Sequence, residues 1–103
     1  MAATYRIIIA PDAAADLQAI YEYVAKDSPD SAARLVSRIL NAIERLAILP
    51  HRNIVQHQSR RLRHPVRSLP VRPYVAFFRV IDNDAVVRIL TVRHGARRRP
   101  RFK

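Results

Sequence analysis

Apolar residues follow two spacings along this chain, and each spacing predicts a different kind of element. The run Tyr5–Ile9 is short, apolar and β-branched, which predicts a first strand. Apolar residues then recur every three or four positions in two stretches, which predicts two helices. The first helix opens at Pro11 and ends near Asp27, and the second is capped by Ser28 and ended by Pro50. The connection is so short that the helices should form an antiparallel hairpin.

The remaining apolar runs predict a sheet. Three strands are predicted at residues 66–71, 74–81 and 86–92. Residues 51–66 are interpreted as a loop, or a loop with a sheet edge. The order β-α-α-β-β-β predicts an α+β fold in which the helix hairpin packs on one face of a small, mainly antiparallel, twisted sheet. A right-handed crossover through the helices would place the first strand beside a later one.

The length of 103 residues fits one domain, which we expect to span residues 1–95. The apolar stripe of the first helix, Leu17, Ile20, Tyr21 and Val24, is expected to be core. Residues 96–103 form a basic tail with too few apolar residues to pack alone, so this tail is expected to be flexible.

Several classes of protein are excluded or disfavoured by composition. The chain has no cysteine, so neither disulfides nor thiolate chemistry is available. It has neither a signal-peptide pattern at its start nor an apolar run of the ~20 residues that a membrane span needs, so a cytoplasmic protein without membrane contact is expected. His51, His57 and His64 lie on the predicted loop without a neighbouring carboxylate, and we expect no metal site and no cofactor.

Charge divides the chain into two unequal halves. Residues 1–51 hold five basic residues against six acidic ones, a net charge of −1. Residues 52–103 hold fourteen against two, a net charge of +12. Most of these cations are arginines, whose planar guanidinium suits phosphate and carboxylate groups. The basic half is therefore expected to attract nucleic acid or an acidic protein.

Three segments, taken with the element order, resemble the ParE/RelE superfamily of toxins. They are the Asp16-Leu17-x-x-Ile20 helix start, Pro73-Tyr74-Val75-x-Phe77-Phe78-Arg79-Val80, and Val87-Arg88-Ile89-Leu90-Thr91-Val92-Arg93-His94-Gly95-Ala96-Arg97. The last is similar to the ParE branch, whose final strand often ends in a His-Gly-Ala-Arg-like run. The resemblance covers nearly the whole chain and is thinnest across residues 51–66.

The resemblance implies a toxin of a type II toxin–antitoxin module that poisons DNA gyrase. It also implies a cognate antitoxin, often acidic, which wraps the toxin with a helical segment in a hetero-oligomer. The outer faces of the helix hairpin, and the groove that it forms with the sheet, are the expected antitoxin site. Its expected rim residues are Tyr5, Tyr21, Tyr23 and Val36.

Two alternatives remain open at this point. A RelE-like toxin would cleave messenger RNA on the ribosome, which needs an acid, a base and cations for the developing phosphate charge. The candidates for that chemistry are Arg61, Arg79, Arg93, His94 and Tyr74. Contact with either target is expected from Arg60, Arg61, Arg63, Arg79, Arg93, His94, Arg97, Arg98 and Arg99. The second alternative is a non-toxic basic module that binds nucleic acid.

Overall fold

The computed structural model describes residues 4–48, 50–53, 55–57 and 64–96, without the side chains of residues 56 and 57. The strands are β1 (Arg6–Ile9), β2 (Val55–His57), β3 (Val66–Val71), β4 (Tyr74–Ile81) and β5 (Val86–His94). The helices are α1 (Pro11–Ala25) and α2 (Pro29–Glu44). Short 3₁₀ turns occupy Arg45–Ala47, Pro50–Arg52 and Asp82–Asp84.

Both helices begin where the sequence predicts. Proline stands in the first turn of each, and the Ser28 side chain accepts a hydrogen bond from the Ser31 backbone N–H at 3.2 Å, which caps α2. The predicted end of the second helix at Pro50 is wrong, because α2 stops at Glu44 and tightens into a 3₁₀ turn. That turn directs the Ala47 carbonyl to the Tyr5 N–H, at 2.8 Å, and so ties the helix end to the start of β1.

The sheet has the strand order β1-β5-β4-β3-β2. β1 runs parallel to β5, and the other neighbours are antiparallel. The predicted α+β fold is therefore confirmed, including the pairing of the first strand with a later one. Within residues 51–66, where the sequence predicted a loop or a loop with a sheet edge, the structure has the short edge strand β2, which pairs with β3.

The core lies between the helix hairpin and one face of the sheet. Its helical side includes Leu17, Ile20, Ile39 and Ile43, and its sheet side includes Ala76, Phe78, Val80, Val87, Ile89 and Val92. The predicted stripe of α1 is only partly core, because Leu17 and Ile20 are buried whereas Tyr21 is 37% exposed. A smaller cluster of Val66, Val75 and Phe77 lies on the opposite face of the sheet.

An extra residue in β5 changes which side chains face the helices. The register runs from Phe78 opposite Ile89 to Phe77 opposite Thr91, so Leu90 is left without a partner in β4. Such a bulge reverses the alternation of side chains beyond it. Val92 and His94 therefore share the helix-facing side with Ile89.

Within the part of the chain that the structure describes, neither helix is long and apolar enough to cross a membrane.

Candidate functional site

A tyrosine and a histidine meet where β4 begins and β5 ends. Tyr74 lies opposite His94 in the register, and their rings contact edge to face with centroids 5.4 Å apart. The Ala96 N–H donates to His94 Nδ1 at 3.1 Å. In the neutral ring the proton is therefore on Nε2, which is left to donate.

The single glycine of the chain allows the backbone to turn beside this pair. The Gly95 N–H donates to the Pro73 carbonyl oxygen at 2.7 Å, and a Cβ on Gly95 would lie 3.2 Å from that oxygen. A side chain here would press on the β3–β4 turn, which contains the cis peptide bond Arg72–Pro73. Glycine thus permits this close approach without a shift of a few tenths of an ångström in the turn.

Asp16 joins α1 to the same end of β5. One carboxylate oxygen accepts hydrogen bonds from the Thr91 hydroxyl at 2.5 Å and from the Val92 N–H at 3.0 Å. The sequence prediction left Asp16 outside the apolar stripe and gave it no role. The spacing of Asp16 could have indicated that it faces the sheet. It lies three residues after Ala13 and four before Ile20, both of which are buried, so it shares their side of α1.

A cleft of about 450 Å³ opens between α1 and these strand ends. Its lining residues are Asp16, Ala19, Ile20, Tyr23, Tyr74, Val92, Arg93 and His94. The cleft is lined by Arg93 and His94, which were predicted to contact a target, and by Tyr74, which was a candidate only for the nuclease chemistry. It also includes Tyr23, which is 73% exposed and was predicted to contact the antitoxin.

Arg79 lies apart from this cleft. It stands opposite Arg88 in the register, five residues along β4 from Tyr74, so it projects from the other face of the sheet. Five residues of strand span roughly 16 Å. The structure therefore does not bring Arg79 together with His94. The predicted target residues Arg60, Arg61, Arg63, Arg97, Arg98 and Arg99 lie outside the described residues.

The four residues predicted to contact an antitoxin occupy three different places. Tyr21 and Val36 line an apolar groove of about 450 Å³ on the helix hairpin, together with Ile9, Ala14, Leu17, Gln18 and Leu40. Tyr23 lies in the cleft beside His94. Tyr5 lies at the opposite end of the sheet, where β1 begins. Of the four predicted residues, only Tyr21 and Val36 therefore lie on one continuous surface, the apolar groove beside β1.

Tyr5, His51 and Asp82 form a cluster of three polar side chains where β1 begins. The Tyr5 hydroxyl donates to Asp82 Oδ1 at 2.7 Å, and His51 Nε2 lies 2.8 Å from the same oxygen. These hydrogen bonds, from Tyr5 first and His51 second, lower the pKa of Asp82 below its ordinary value. The hydrogen bond to Asp82 likewise raises the pKa of Tyr5. The cluster therefore connects three segments. Tyr5 precedes β1, His51 lies in the 3₁₀ turn Pro50–Arg52, and Asp82 lies in the turn between β4 and β5.

No three His, Cys, Asp or Glu residues among those described lie close enough together to hold a metal ion.

The fold and the strand ends place this chain among the small toxins of toxin–antitoxin systems. A solved structure from a chromosomal ParDE toxin–antitoxin system of P. aeruginosa superposes with a TM-score of 0.70 and 28% identity, covering 88% of this chain and 96% of that one. The archaeal RelE–RelB complex from Pyrococcus horikoshii shares the fold, with a TM-score of 0.65 at 18% identity over 92% of this chain and 99% of the matched chain.

Sequence comparison defines the family. The family model of the ParE toxin of type II toxin–antitoxin systems matches residues 7–99. The curated protein Toxin RelE2 from Caulobacter vibrioides is 35% identical over 85 residues, which is 82% of this chain and 89% of that protein. The chain belongs to the ParE toxin family, within the ParE/RelE superfamily.

Proposed function

We propose that this chain is a ParE-like toxin that binds and poisons DNA gyrase in the cytoplasm, and that a cognate antitoxin neutralises it. The observation that carries the proposal is the separation of the groups that a nuclease would have to combine. His94 and Tyr74 lie on the helix-facing side of the sheet, whereas Arg93, opposite Val75, and Arg79 both project from the other face, Arg79 about 16 Å along the strand. Acid–base catalysis at a phosphate needs proton donor and cation at the same atom.

The end of β5 therefore suits binding better than cleavage. Its cleft is lined by the rings of Tyr23, Tyr74 and His94, and Arg93 borders it. Such groups recognise a partner without a proton-transfer step. The strands β1 to β5 contain arginine and histidine but no aspartate or glutamate, so the field over the sheet favours an anionic target.

Neutralisation is proposed at β1 and the groove beside it. β1 is the outer strand of the described sheet, and an outer strand can accept an added strand from another chain. The apolar groove with Tyr21 and Val36 begins at Ile9, the last residue of β1. An antitoxin segment that pairs with β1 and continues as a helix would bury this groove in a hetero-oligomer.

The alternative is a ribosome-dependent endoribonuclease, and the 35% identity to a protein named Toxin RelE2 favours keeping it as a second candidate. The two candidates differ in what His94 must do. A nuclease would need this ring to move a proton, whereas a gyrase poison needs it only as part of a surface.

Expression of His94→Ala in a bacterial host separates the candidates. We expect DNA breaks to persist at a level within a few-fold of the parent, with transcripts intact. His51→Ala is the matched control, because it removes the other histidine that contacts a tyrosine edge to face. Transcript cleavage that is lost in His94→Ala and kept in His51→Ala would replace the gyrase proposal with the nuclease. Growth without either effect would favour a non-toxic binding module.

A further inference from the structure

The exposed side of α2 carries a row of cations to which the sequence prediction gave no role. Arg34, Arg38 and Arg45 are exposed, and at 100° per residue they fall within about 40° of one another around the helix. Ser37 and Asn41 lie on the same side and supply a hydroxyl and an amide. The row extends over roughly 16 Å at 1.5 Å per residue.

Two adjoining depressions between α2 and β3 follow this row. One, of about 670 Å³, is bordered by Arg34, Arg38 and Arg45. The next, of about 550 Å³, shares Arg45 and Pro70 with the first and adds Arg52. Together they form one elongated channel, the α2–β3 groove.

The charge of this groove is uncompensated within the described part of the chain. Neither depression is lined by an aspartate or a glutamate. The Arg34 guanidinium donates to the Ser31 hydroxyl at 3.4 Å, and that of Arg38 donates to the Arg72 carbonyl at 2.6 Å, both of which are neutral acceptors. Among the described residues the recorded salt bridge joins His51 to Asp82, away from the groove. Four arginines therefore face solvent without a carboxylate partner.

The turn that carries Arg52 is held in place beneath the groove. The Arg67 guanidinium donates to the carbonyl oxygens of His51 and Asn53, at 3.1 and 2.9 Å. The Asn53 side-chain amide donates to the Ser68 carbonyl at 3.0 Å. These bonds fix the backbone on both sides of Arg52. The backbone that carries this arginine therefore needs no further ordering when a ligand binds.

The lining indicates which polyanion the groove fits. No aromatic side chain lines it, so it lacks the stacking platform on which single-stranded nucleic acid depends. A protein helix would need apolar anchors along the arginine row, but the residues there are small, such as Ala33 and Ala42, and the larger apolar side chains Ile48 and Leu69 line only the second depression. A row of ~16 Å extends past about five base pairs of a duplex, at 3.4 Å each along its axis.

We propose that the α2–β3 groove binds the sugar–phosphate backbone of duplex DNA. The choice of DNA rests on the proposed function, since gyrase presents duplex DNA to any protein that poisons it. The groove lies on α2 and β3, apart from the cleft at the end of β5. The toxin would thus hold gyrase-bound DNA and its protein target through different surfaces.

The test compares two charge-matched double variants of the full chain. Arg34→Gln/Arg45→Gln removes two guanidinium groups from the groove, and glutamine keeps the helix propensity high. Arg6→Gln/Arg88→Gln removes two exposed arginines from β1 and β5 and leaves the same net charge. Binding to a short fluorescent duplex is measured by anisotropy over a salt series, without gyrase. Thermal melting followed by circular dichroism checks that both variants fold.

We expect the groove variant to lose affinity several-fold more than the control. Its slope of log K against log salt should fall by about 1.8, because each phosphate contact contributes about 0.9. Equal losses in both variants would overturn the proposal, since they would reflect net charge alone. Unchanged duplex binding, with weaker binding of the neutralising protein encoded beside the toxin, would also overturn it and assign the groove to an acidic protein.

Failure of the proposed function would look different. Transcript cleavage lost in His94→Ala would remove gyrase as the target, yet selective loss of duplex binding in Arg34→Gln/Arg45→Gln would still support the groove. Intact DNA breaks with no difference between the double variants would leave the gyrase proposal standing and exclude the groove.

Discussion

The two ends of the sheet each place a tyrosine edge to face with a histidine, but only one end joins the pair through a carboxylate. Where β1 begins, Tyr5 and His51 share the same oxygen of Asp82. Where β5 ends, the rings of Tyr74 and His94 contact each other. There the carboxylate, Asp16, is turned instead toward the hydroxyl and backbone of β5.

The difference separates structural use of these residue types from functional use. At the first end the acceptor and both donors satisfy one another, and three chain segments are held together. At the second end the carboxylate stabilises the strand, which leaves the histidine ring at a cleft that Arg93 borders. Similar residue pairs thus form a clamp at one end and line an open cleft, the proposed binding surface, at the other.

The largest effect expected from this comparison is on stability, at Asp16. Asp16→Ala should lower the free energy of unfolding by about 2–3 kcal/mol, because it leaves the Thr91 hydroxyl and the Val92 N–H without their charged acceptor. Urea unfolding followed by circular dichroism measures the loss. Asp12→Ala is the control, since it removes an exposed carboxylate from the same helix. Equal losses in the two variants would mean that the bonds to β5 contribute nothing specific.

A smaller effect, of opposite sign, is expected at the clamp end. Ala85 has φ 52° and ψ 51°, a left-handed conformation that costs a residue with a Cβ about 1–2 kcal/mol. Ala85→Gly should therefore raise the free energy of unfolding by up to about 1 kcal/mol, after glycine's larger loss of entropy. Ala15→Gly, at an exposed position of α1, should lower it by about as much. Destabilisation by Ala85→Gly would show that the turn is not strained.

The sequence predicted the architecture because its strongest signals are periodic. The spacing of Leu17 and Ile20, the Ser28 cap and the apolar runs of β4 and β5 all appear in the structure as predicted. The gap between the strands predicted at 74–81 and 86–92 likewise holds the turn at Asp82–Asp84. The strained residue is its neighbour Ala85, and alanine carries no signal for a left-handed conformation.

The site was less predictable because it depends on register and on contacts distant in sequence. The Leu90 bulge determines which face His94 occupies, and no local pattern marks a bulge in a continuously apolar strand. The contact between Asp16 and Thr91 spans 75 residues. The α2–β3 groove was hidden by the net charge of −1 in the first half, because counting charges does not show that neither depression is lined by an aspartate or a glutamate.

The smallest effect is expected at the clamp itself, and pH is the variable that isolates it. The pKa of Asp82 is lowered in the fold, first by the hydrogen bond from Tyr5 and then by that from His51. A lowered carboxylate pKa contributes stability above the unfolded value of about 3.8, and this contribution is lost as pH falls through the folded value. The advantage of the parent over Asp82→Asn should therefore be present near neutral pH and vanish in acid.

Tyr5 tests the same clamp from the basic side. Its pKa is raised, chiefly by the hydrogen bond to Asp82, so its contribution is complete below its ordinary value of 10.0 and is lost as pH rises through the folded value. Tyr5→Phe should match the parent at high pH and be less stable near neutral pH. Urea midpoints across the pH range measure both variants. Because one hydrogen bond joins the two residues, the double variant should lose less than the sum of the single losses. Additive losses would mean that Tyr5 and Asp82 act separately and that no clamp exists.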